Sequence, residues 1–130
     1  ELQFRDRSSR VLDSFAETVQ RLVVELNARG GAQIETELAR EKIPPAPMDE
    51  GLQSLLIQAA EKNAAGKWVK MPSGAFHDAG VLHDVMPCAM LFIPSIGGVS
   101  HDFAENSHDE DIVMGCQVLA DAATLILQNL

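Results

Sequence analysis

The sequence predicts an α/β fold, and three patterns carry that prediction. Apolar side chains recur at three- and four-residue steps over residues 11–26, which is typical of an amphipathic helix. Residues 1–6 and 32–38 alternate apolar with polar side chains, as half-buried strands do, and residues 68–69 fit a short strand. Residues 88–93, CAMLFI, form an apolar run of the kind buried on both faces of a sheet. The strands at residues 1–6 and 32–38 would by themselves leave open edges and a poor core, so further strands are expected elsewhere.

Two helices are expected in the first half of the chain, each with a capping residue before it. Ser8 or Ser9 can cap the first, because a side-chain oxygen there accepts a backbone N–H of the first turn. Asp49 can cap a second helix, expected from Glu50 to about Ala65. Glycines are suited to end both helices and stand at positions 30, 31 and 66.

Two further helices are expected in the second half, a short one at Ala75–Val85 and a long one at Asp109–Leu130. The spacing of apolar side chains predicts which of them face inward. In the second helix these are Leu52, Leu55, Leu56, Ala59 and Ala60. In the last helix they are Ile112, Val113, Cys116, Leu119, Ala120, Ala123 and Leu127.

The composition is that of a globular protein, with 46% hydrophobic and 22% charged residues. The net charge of −9 repels phosphate backbones and anionic membrane surfaces, so neither nucleic acid nor a membrane is expected as a partner. Cys88 and Cys116 stand in apolar contexts and are expected as reduced, buried thiols of a cytoplasmic protein, in preference to a disulfide. The opening at Glu1 reads as the middle of a strand, so we expect a fragment of a longer protein.

Two His-Asp pairs, at residues 77–78 and 101–102, stand in loops on either side of the apolar run. His101 follows a Gly-Gly loop just past the expected strand, where α/β sheets place ligand sites. Its imidazole can bind a metal, although a surface loop histidine is equally compatible with the pattern. Glu105 either orients His101, as carboxylates orient metal-bound imidazoles, or faces water. His83 and His108 are expected at the surface.

The small side chains of Ser73, Gly74 and Ala75 leave backbone N–H groups open to a carboxylate or a developing oxyanion. The alternative is a helix start, with Ser73 as the cap and Asp78 favoured by the helix dipole. Arg5 can clamp a substrate carboxylate through two N–H groups, or can simply be a solvated arginine.

A zinc site normally takes three or more protein ligands, and a single histidine does not make one. The sequence contains no His-Glu-x-x-His helix, Cys-x-x-Cys pair or phosphate loop. Either the site is shared with sequence outside this chain, or there is no metal.

Three ordered motifs carry a resemblance to a known family: SGAFHDA at residues 73–79, PCAMLFIPS at 87–95 and GGVSHDFAE at 97–105. With them the chain resembles the C-terminal end of the zinc-dependent amidohydrolases that include N-carbamoyl-L-amino-acid hydrolase, allantoate amidohydrolase and β-ureidopropionase. FRD at residues 4–6 and the terminal helix continue the likeness, which covers nearly the whole chain.

The resemblance implies a two-domain subunit, in which a smaller α+β lid domain that mediates dimerisation interrupts a catalytic α/β domain holding two divalent metal ions. Residues 1–43 then correspond to the end of the lid and residues 44–130 to the last part of the catalytic domain. The run KIPPAP at residues 42–47 agrees with this boundary, because proline disfavours helix at its own position and before it. A homodimer is implied for the parent protein.

The resemblance also implies roles for particular residues. His101 matches a metal ligand, and the metal would be zinc, with manganese, cobalt or nickel as other possibilities. The residues that match substrate-binding positions are Arg5, Ser73, Gly74, Ala75 and His77. Asp78 and Glu105 are expected to support the metal and substrate ligands. The other metal ligands and the general base lie upstream in the family and are absent here.

Two positions depart from the family pattern. Phe76 stands where glycine is usual, which can narrow the pocket, and Gln3 replaces a common acidic residue. The expected reaction is hydrolysis of a C–N bond of a small ureido acid, with metal-activated water, by the parent protein only. The isolated chain is expected to be inactive. The alternatives are a non-catalytic dimerisation or binding module and a peptidase or aminoacylase of the same clan.

Overall fold

The computed structural model describes residues 1–39 and 41–129, and this part of the chain contains four α-helices. They are α1 (Ser9–Ala28), α2 (Glu50–Ala64), α3 (Ala79–Leu82) and α4 (Asp109–Gln128). A 3₁₀ turn at Ile96–Gly98 precedes α4. The predictions of α1, α2 and α4 are therefore confirmed. Position 130, where the last helix was expected to end, lies outside the described residues.

The ends of α1 follow from local chemistry. Of the two candidate serines, Ser8 is the cap, because its Oγ accepts the N–H of Val11 at 3.4 Å. The helix ends at Ala28, and Gly30 follows with a φ of 75°. Glycine adopts this left-handed conformation without the steric cost that a Cβ brings, so the chain turns here as predicted.

Asp49 caps α2 and also fixes where the helix begins. Its Oδ1 accepts the N–H of Leu52 at 2.8 Å. Its own N–H donates to the carbonyl oxygen of Cys88, also at 2.8 Å. This second hydrogen bond ties the start of α2 to the apolar run at residues 88–93.

The short helix α3 is smaller than the segment predicted. Residues 75–78 lie outside it, and Ser73 is not its cap; the residue before the helix is Asp78, whose side chain makes no capping hydrogen bond. His83, expected at the surface, has a side chain only 18% exposed, and its Nδ1 lies 3.0 Å from the carbonyl oxygen of Gly80. His108 is exposed, as expected, and directly precedes α4.

The chain divides into two compact units, of which the first comprises Glu1–Pro47 and Pro72–Phe76. In this unit the ring of Phe4 stacks on that of Phe15 of α1, with centroids 5.1 Å apart. Asn27, near the end of α1, holds the following segment by two hydrogen bonds to the backbone of Ile34, at 2.8 and 2.9 Å. No residue of α1 is fully buried.

The second unit comprises Met48–Met71 and His77–Leu130, and its core lies between α2 and α4. The core consists of small side chains, with Leu56 and Leu125 packed against it: Ala59, Ala60, Val118 and Ala122. Small side chains let two helices approach closely. Gly115 lets α4 approach the apolar run at residues 88–93, because a Cβ at this position would collide with the side chain of Ile93.

A polar cluster joins α2 to α4 beside this core. Asn63 Nδ2 donates to Asp121 Oδ2 at 2.7 Å, and Lys62 Nζ lies 2.9 Å from the same oxygen. The hydrogen bond from Asn63, and next the interaction with Lys62, lower the pKa of Asp121 below its ordinary value.

The face that α4 buries differs from the face predicted. Every side chain predicted to point inward is exposed: Ile112, Val113, Cys116, Leu119, Ala120, Ala123 and Leu127. The predicted burial of Cys116 is therefore wrong, whereas both cysteines are free, as expected. Because α4 is apolar around most of its circumference, its periodicity selects no single face. In α2 the prediction is confirmed for Ala59 and Ala60, while its inward leucines are half-buried.

The helical part of the α/β prediction is confirmed, but none of the predicted strands forms within residues 1–39 and 41–129. A strand exists only where its backbone pairs with a neighbouring strand, and side-chain alternation does not reveal whether that neighbour is present. The segments at 1–6, 32–38, 68–69 and 88–93 are irregular here. No helix in this part of the chain is long and apolar enough to cross a bilayer.

Candidate functional site

Arg5 of the first unit is held against the loop predicted to line the substrate pocket. Its Nη1 donates to the carbonyl oxygen of Gly74 at 2.6 Å. Its Nη2 donates to Oε1 of Gln3 at 3.1 Å. The structure therefore brings together two residues, Arg5 and Gly74, that the sequence assigned separately to substrate binding.

The charge of Arg5 is not neutralised within the described part of the chain. Both of its acceptors are uncharged, and none of the ion pairs formed by residues 1–39 and 41–129 includes it. The adjacent carboxylate, Asp6, accepts the backbone N–H of Ser8 at 2.8 Å through Oδ1. A guanidinium has five N–H donors, so hydrogens remain on Arg5 for an anionic group.

Residues 73–75 form a turn through the Ser73 hydroxyl. Ser73 Oγ accepts the N–H of Ala75 at 3.2 Å and lies 3.3 Å from the Ala75 carbonyl oxygen. The N–H of Ala75 thus has an internal acceptor, which corrects for this one residue the expectation that the loop leaves its backbone N–H groups open.

In the second unit, His77 packs on the aromatic ring of Phe92. The ring centroids are 5.3 Å apart and the planes are inclined by 54°. His77 is half-buried, while Asp78 beside it is exposed. The first His-Asp pair is therefore anchored through its histidine to the apolar run at residues 88–93.

His101 lies in a loop whose base is closed by two hydrogen bonds. The N–H of Ile96 donates to the carbonyl oxygen of Asn106 at 2.7 Å. The hydroxyl of Ser107 donates to the carbonyl oxygen of Pro94 at 2.8 Å. We call residues 94–107 the His101 loop. It follows the apolar run, as the sequence predicts, although that run is not a strand.

Glu105 acts on the backbone of His101. Its Oε2 accepts the His101 N–H at 2.7 Å. His101 has a φ of 57° and is the one described non-glycine residue in the left-handed region. This conformation costs about 1–3 kcal/mol, and the hydrogen bond to a carboxylate helps to hold it. The structure thus brings Glu105 and His101 together, with the imidazole exposed.

The described residues do not build a complete metal centre. They contain no group of three or more His, Cys, Asp or Glu side chains that could hold an ion. His101 supplies a neutral nitrogen donor of the type that zinc prefers, but only one. The donors within residues 1–39 and 41–129 therefore fit one position of a metal site and not the whole site.

A shallow cavity of about 500 Å³ lies beside the base of the His101 loop. No predicted site residue lines it; it is lined by Ile96, Asn106, Ser107, His108, Asp109 and Glu110. The two acidic residues begin α4, where a negative charge is favoured by the helix dipole. Their presence there is explained by the helix alone.

The contact of Gln3 with Arg5 is a feature of the site that the sequence does not predict. Gln3 was noted only as a departure from a family pattern, yet its side chain contacts Arg5. The signal that could have identified it is the spacing of two positions, which places both side chains on the same face of an extended segment.

The profile of Peptidase family M20/M25/M40 matches residues 9–125. The chain belongs to this family. The M20 match covers both compact units, and it agrees with the resemblance that the motifs carry.

Several curated proteins similar to this chain are named amidohydrolases. The chain is 31% identical to an allantoate amidohydrolase of Bacillus subtilis (strain 168) over 92% of its own length and 29% of the relative. It is 30% identical to an N-carbamoyl-L-amino acid amidohydrolase of Geobacillus stearothermophilus, over 91% of the chain and 28% of the relative. The chain thus spans less than one third of the length of these relatives.

A solved structure shares this fold. The crystal structure of an amidase of the hydantoinase/carbamoylase family from Burkholderia phymatum matches with a TM-score of 0.78 and 36% identity. The match covers 93% of this chain and 28% of that one. The order of α1 to α4 is therefore found within a larger amidase.

Proposed function

We propose that this chain is the C-terminal part of a metal-dependent amidohydrolase that cleaves a C–N bond of N-carbamoyl amino acids, allantoate or related ureido acids. Membership in the M20 family supports a hydrolase. The activities named for the relatives, on allantoate and on N-carbamoyl-L-amino acids, support the substrate class. The domain division at residues 1–43 and 44–130 and a homodimeric parent belong to the same proposal.

The observation that carries this proposal is the contact between Arg5 and Gly74. A guanidinium that forms no ion pair with the described residues is fixed beside a loop that matches the substrate-binding segment of the family. Every substrate proposed has a carboxylate, and a guanidinium binds a carboxylate through two parallel hydrogen bonds. Arg5 would thereby fix the orientation of the substrate and hold its ureido group in position for attack.

His101 is proposed as one ligand of a divalent metal, and zinc is the metal to test first. The remaining ligands of that metal would be contributed by sequence outside this chain. Such a metal, when bound, would supply Lewis-acid polarisation of the carbonyl and activation of water. The part of His101 is to offer its imidazole from a loop that is closed at its base and held by Glu105.

The proposed function is tested on the intact protein with Arg5→Ala. Loss of a charged hydrogen-bonding partner is worth about 1.5–3 kcal/mol, so the KM for an N-carbamoyl amino acid should rise roughly 10- to 100-fold. Arg7→Ala, a change of the same charge two residues away, is the matched control and should leave KM within about twofold. Allantoate and simple dipeptides are assayed in parallel.

Three results would contradict the proposal. Turnover of dipeptides without turnover of ureido acids would favour a peptidase. An intact protein with neither turnover nor bound metal would favour a binding module. A His101→Ala protein that keeps the full metal content of the His108→Ala control would exclude His101 as a ligand. The isolated 130-residue chain is expected to show no turnover with added zinc, because the residues that the structure describes contain no group of three metal-binding side chains.

A further inference from the structure

Gln3 and Gly74 hold the Arg5 guanidinium from two sides. Oε1 of Gln3 accepts from Nη2 at 3.1 Å, and the carbonyl oxygen of Gly74 accepts from Nη1 at 2.6 Å. Each contact uses one hydrogen of its nitrogen, so a second hydrogen on each Nη and the Nε hydrogen remain. The guanidinium is thus oriented by two acceptors while hydrogens remain for a further group.

The neutrality of both acceptors is the important feature. A carboxylate at position 3 would form an ion pair with Arg5 and weaken the attraction of that guanidinium for any other anion. The amide of Gln3 gives the same hydrogen-bonding geometry without that compensation. The charge of Arg5 therefore stays available, because Arg5 forms no ion pair within residues 1–39 and 41–129, where Asp6 accepts the N–H of Ser8 instead.

We propose that Gln3 is a positioning residue that orients Arg5 and keeps its charge free, and so strengthens the preference of the site for a carboxylate over an uncharged group. This inference rests on the proposed function, because it takes Arg5 as the residue that binds the substrate carboxylate. It adds a specificity-determining role for a side chain that does not itself contact the substrate.

The test compares an N-carbamoyl amino acid with its uncharged carboxamide on the intact protein. Gln3→Glu should raise the KM for the acid severalfold, leave kcat within about twofold, and leave kcat/KM for the carboxamide unchanged. The rise should shrink in about 0.5 M salt, because exposed charges are screened there. Gln3→Ala removes only the orienting hydrogen bond, so it should raise the KM for the acid to an extent that salt does not change.

Gln33→Glu is the matched control, because Gln33 is another exposed glutamine and the change adds the same charge. Thermal unfolding of each variant verifies that the fold is retained. The inference is overturned if Gln3→Glu behaves like Gln33→Glu, or if the acid and the carboxamide change in parallel.

The failure of the proposed function gives a different pattern. In that case Arg5→Ala leaves the preference for the acid over the carboxamide unchanged. If the wild-type protein turns over neither compound, binding of the acid and of the carboxamide is measured by calorimetry instead. The inference about Gln3 is overturned if both the wild-type and the Gln3→Glu protein bind the acid and the carboxamide with equal affinity.

Discussion

The helices α1 and α4 have the same length, twenty residues, yet their surroundings differ. α1 has the sharper division between apolar and polar faces, but none of its residues is fully buried, and Phe15 is 45% exposed while it stacks on Phe4. α4 is apolar on most sides, and it buries Val118 and Ala122 against α2. The comparison teaches that amphipathicity shows which face can be covered, while burial depends on what packs there.

The largest expected loss of stability comes from a substitution on the face that α4 buries. Ala122 is 1% exposed, so Ala122→Leu should overpack the contact with α2 and lower the free energy of unfolding by about 1–3 kcal/mol. Ala123 is exposed, so the matched change Ala123→Leu should stay within about 0.5 kcal/mol of wild type. Denaturant unfolding measures both. Equal losses would show that the face of α4 is wrongly assigned.

A smaller effect is expected for the segment that follows α1. Asn27→Ala removes two hydrogen bonds to the backbone of Ile34 and should cost about 1–2 kcal/mol, because each is worth roughly 0.5–1.5 kcal/mol. Hydrogen exchange of the amides of α1 should report this loss as faster exchange. Gln20→Ala, which removes one exposed hydrogen bond to Thr36, is the control and should change exchange little. Unchanged protection in Asn27→Ala would mean that Ile34 does not stabilise this unit.

The smallest effect is expected for two ion pairs, Lys62–Asp121 of the second unit and Lys42–Asp13 of the first. The pKa of Asp121 is lowered by Asn63 and Lys62, so its stabilising contribution is complete above the unfolded pKa of about 3.8. That contribution is lost as the pH falls through the lower pKa of the folded state. Asp121→Asn should therefore lower the unfolding temperature at pH 7, and the difference from wild type should vanish in strong acid.

Asp13→Asn provides the comparison from the first unit. The Asp13–Lys42 pair spans 3.4 Å, with side chains 61% and 69% exposed, and pairs of this kind contribute little. Its unfolding temperature should match wild type across the same pH range. A difference between Asp121→Asn and wild type that persists at pH 2 would contradict the assignment of the effect to ionised Asp121.

In the candidate site, the identity of the residues could be predicted from the sequence, whereas their contacts could not. Arg5, Gly74, His101 and Glu105 were identified from the sequence, because their residue types and motifs indicate their chemistry. The contacts between them could not be predicted. Glu105 binds the backbone of His101, and Arg5 binds a carbonyl oxygen sixty-nine positions away, since a turn and a loop bring these groups together.

The sequence by itself determined where α1 and α2 begin and where α1 ends. Ser8 and Asp49 satisfy free N–H groups of the first turn, and Gly30 accepts a positive φ, and each effect acts within a few residues. Only the tertiary structure decided which face of α4 is buried and whether the segments with strand-like alternation pair. Those outcomes depend on groups distant in the chain, and local periodicity carries no information about which distant group is present.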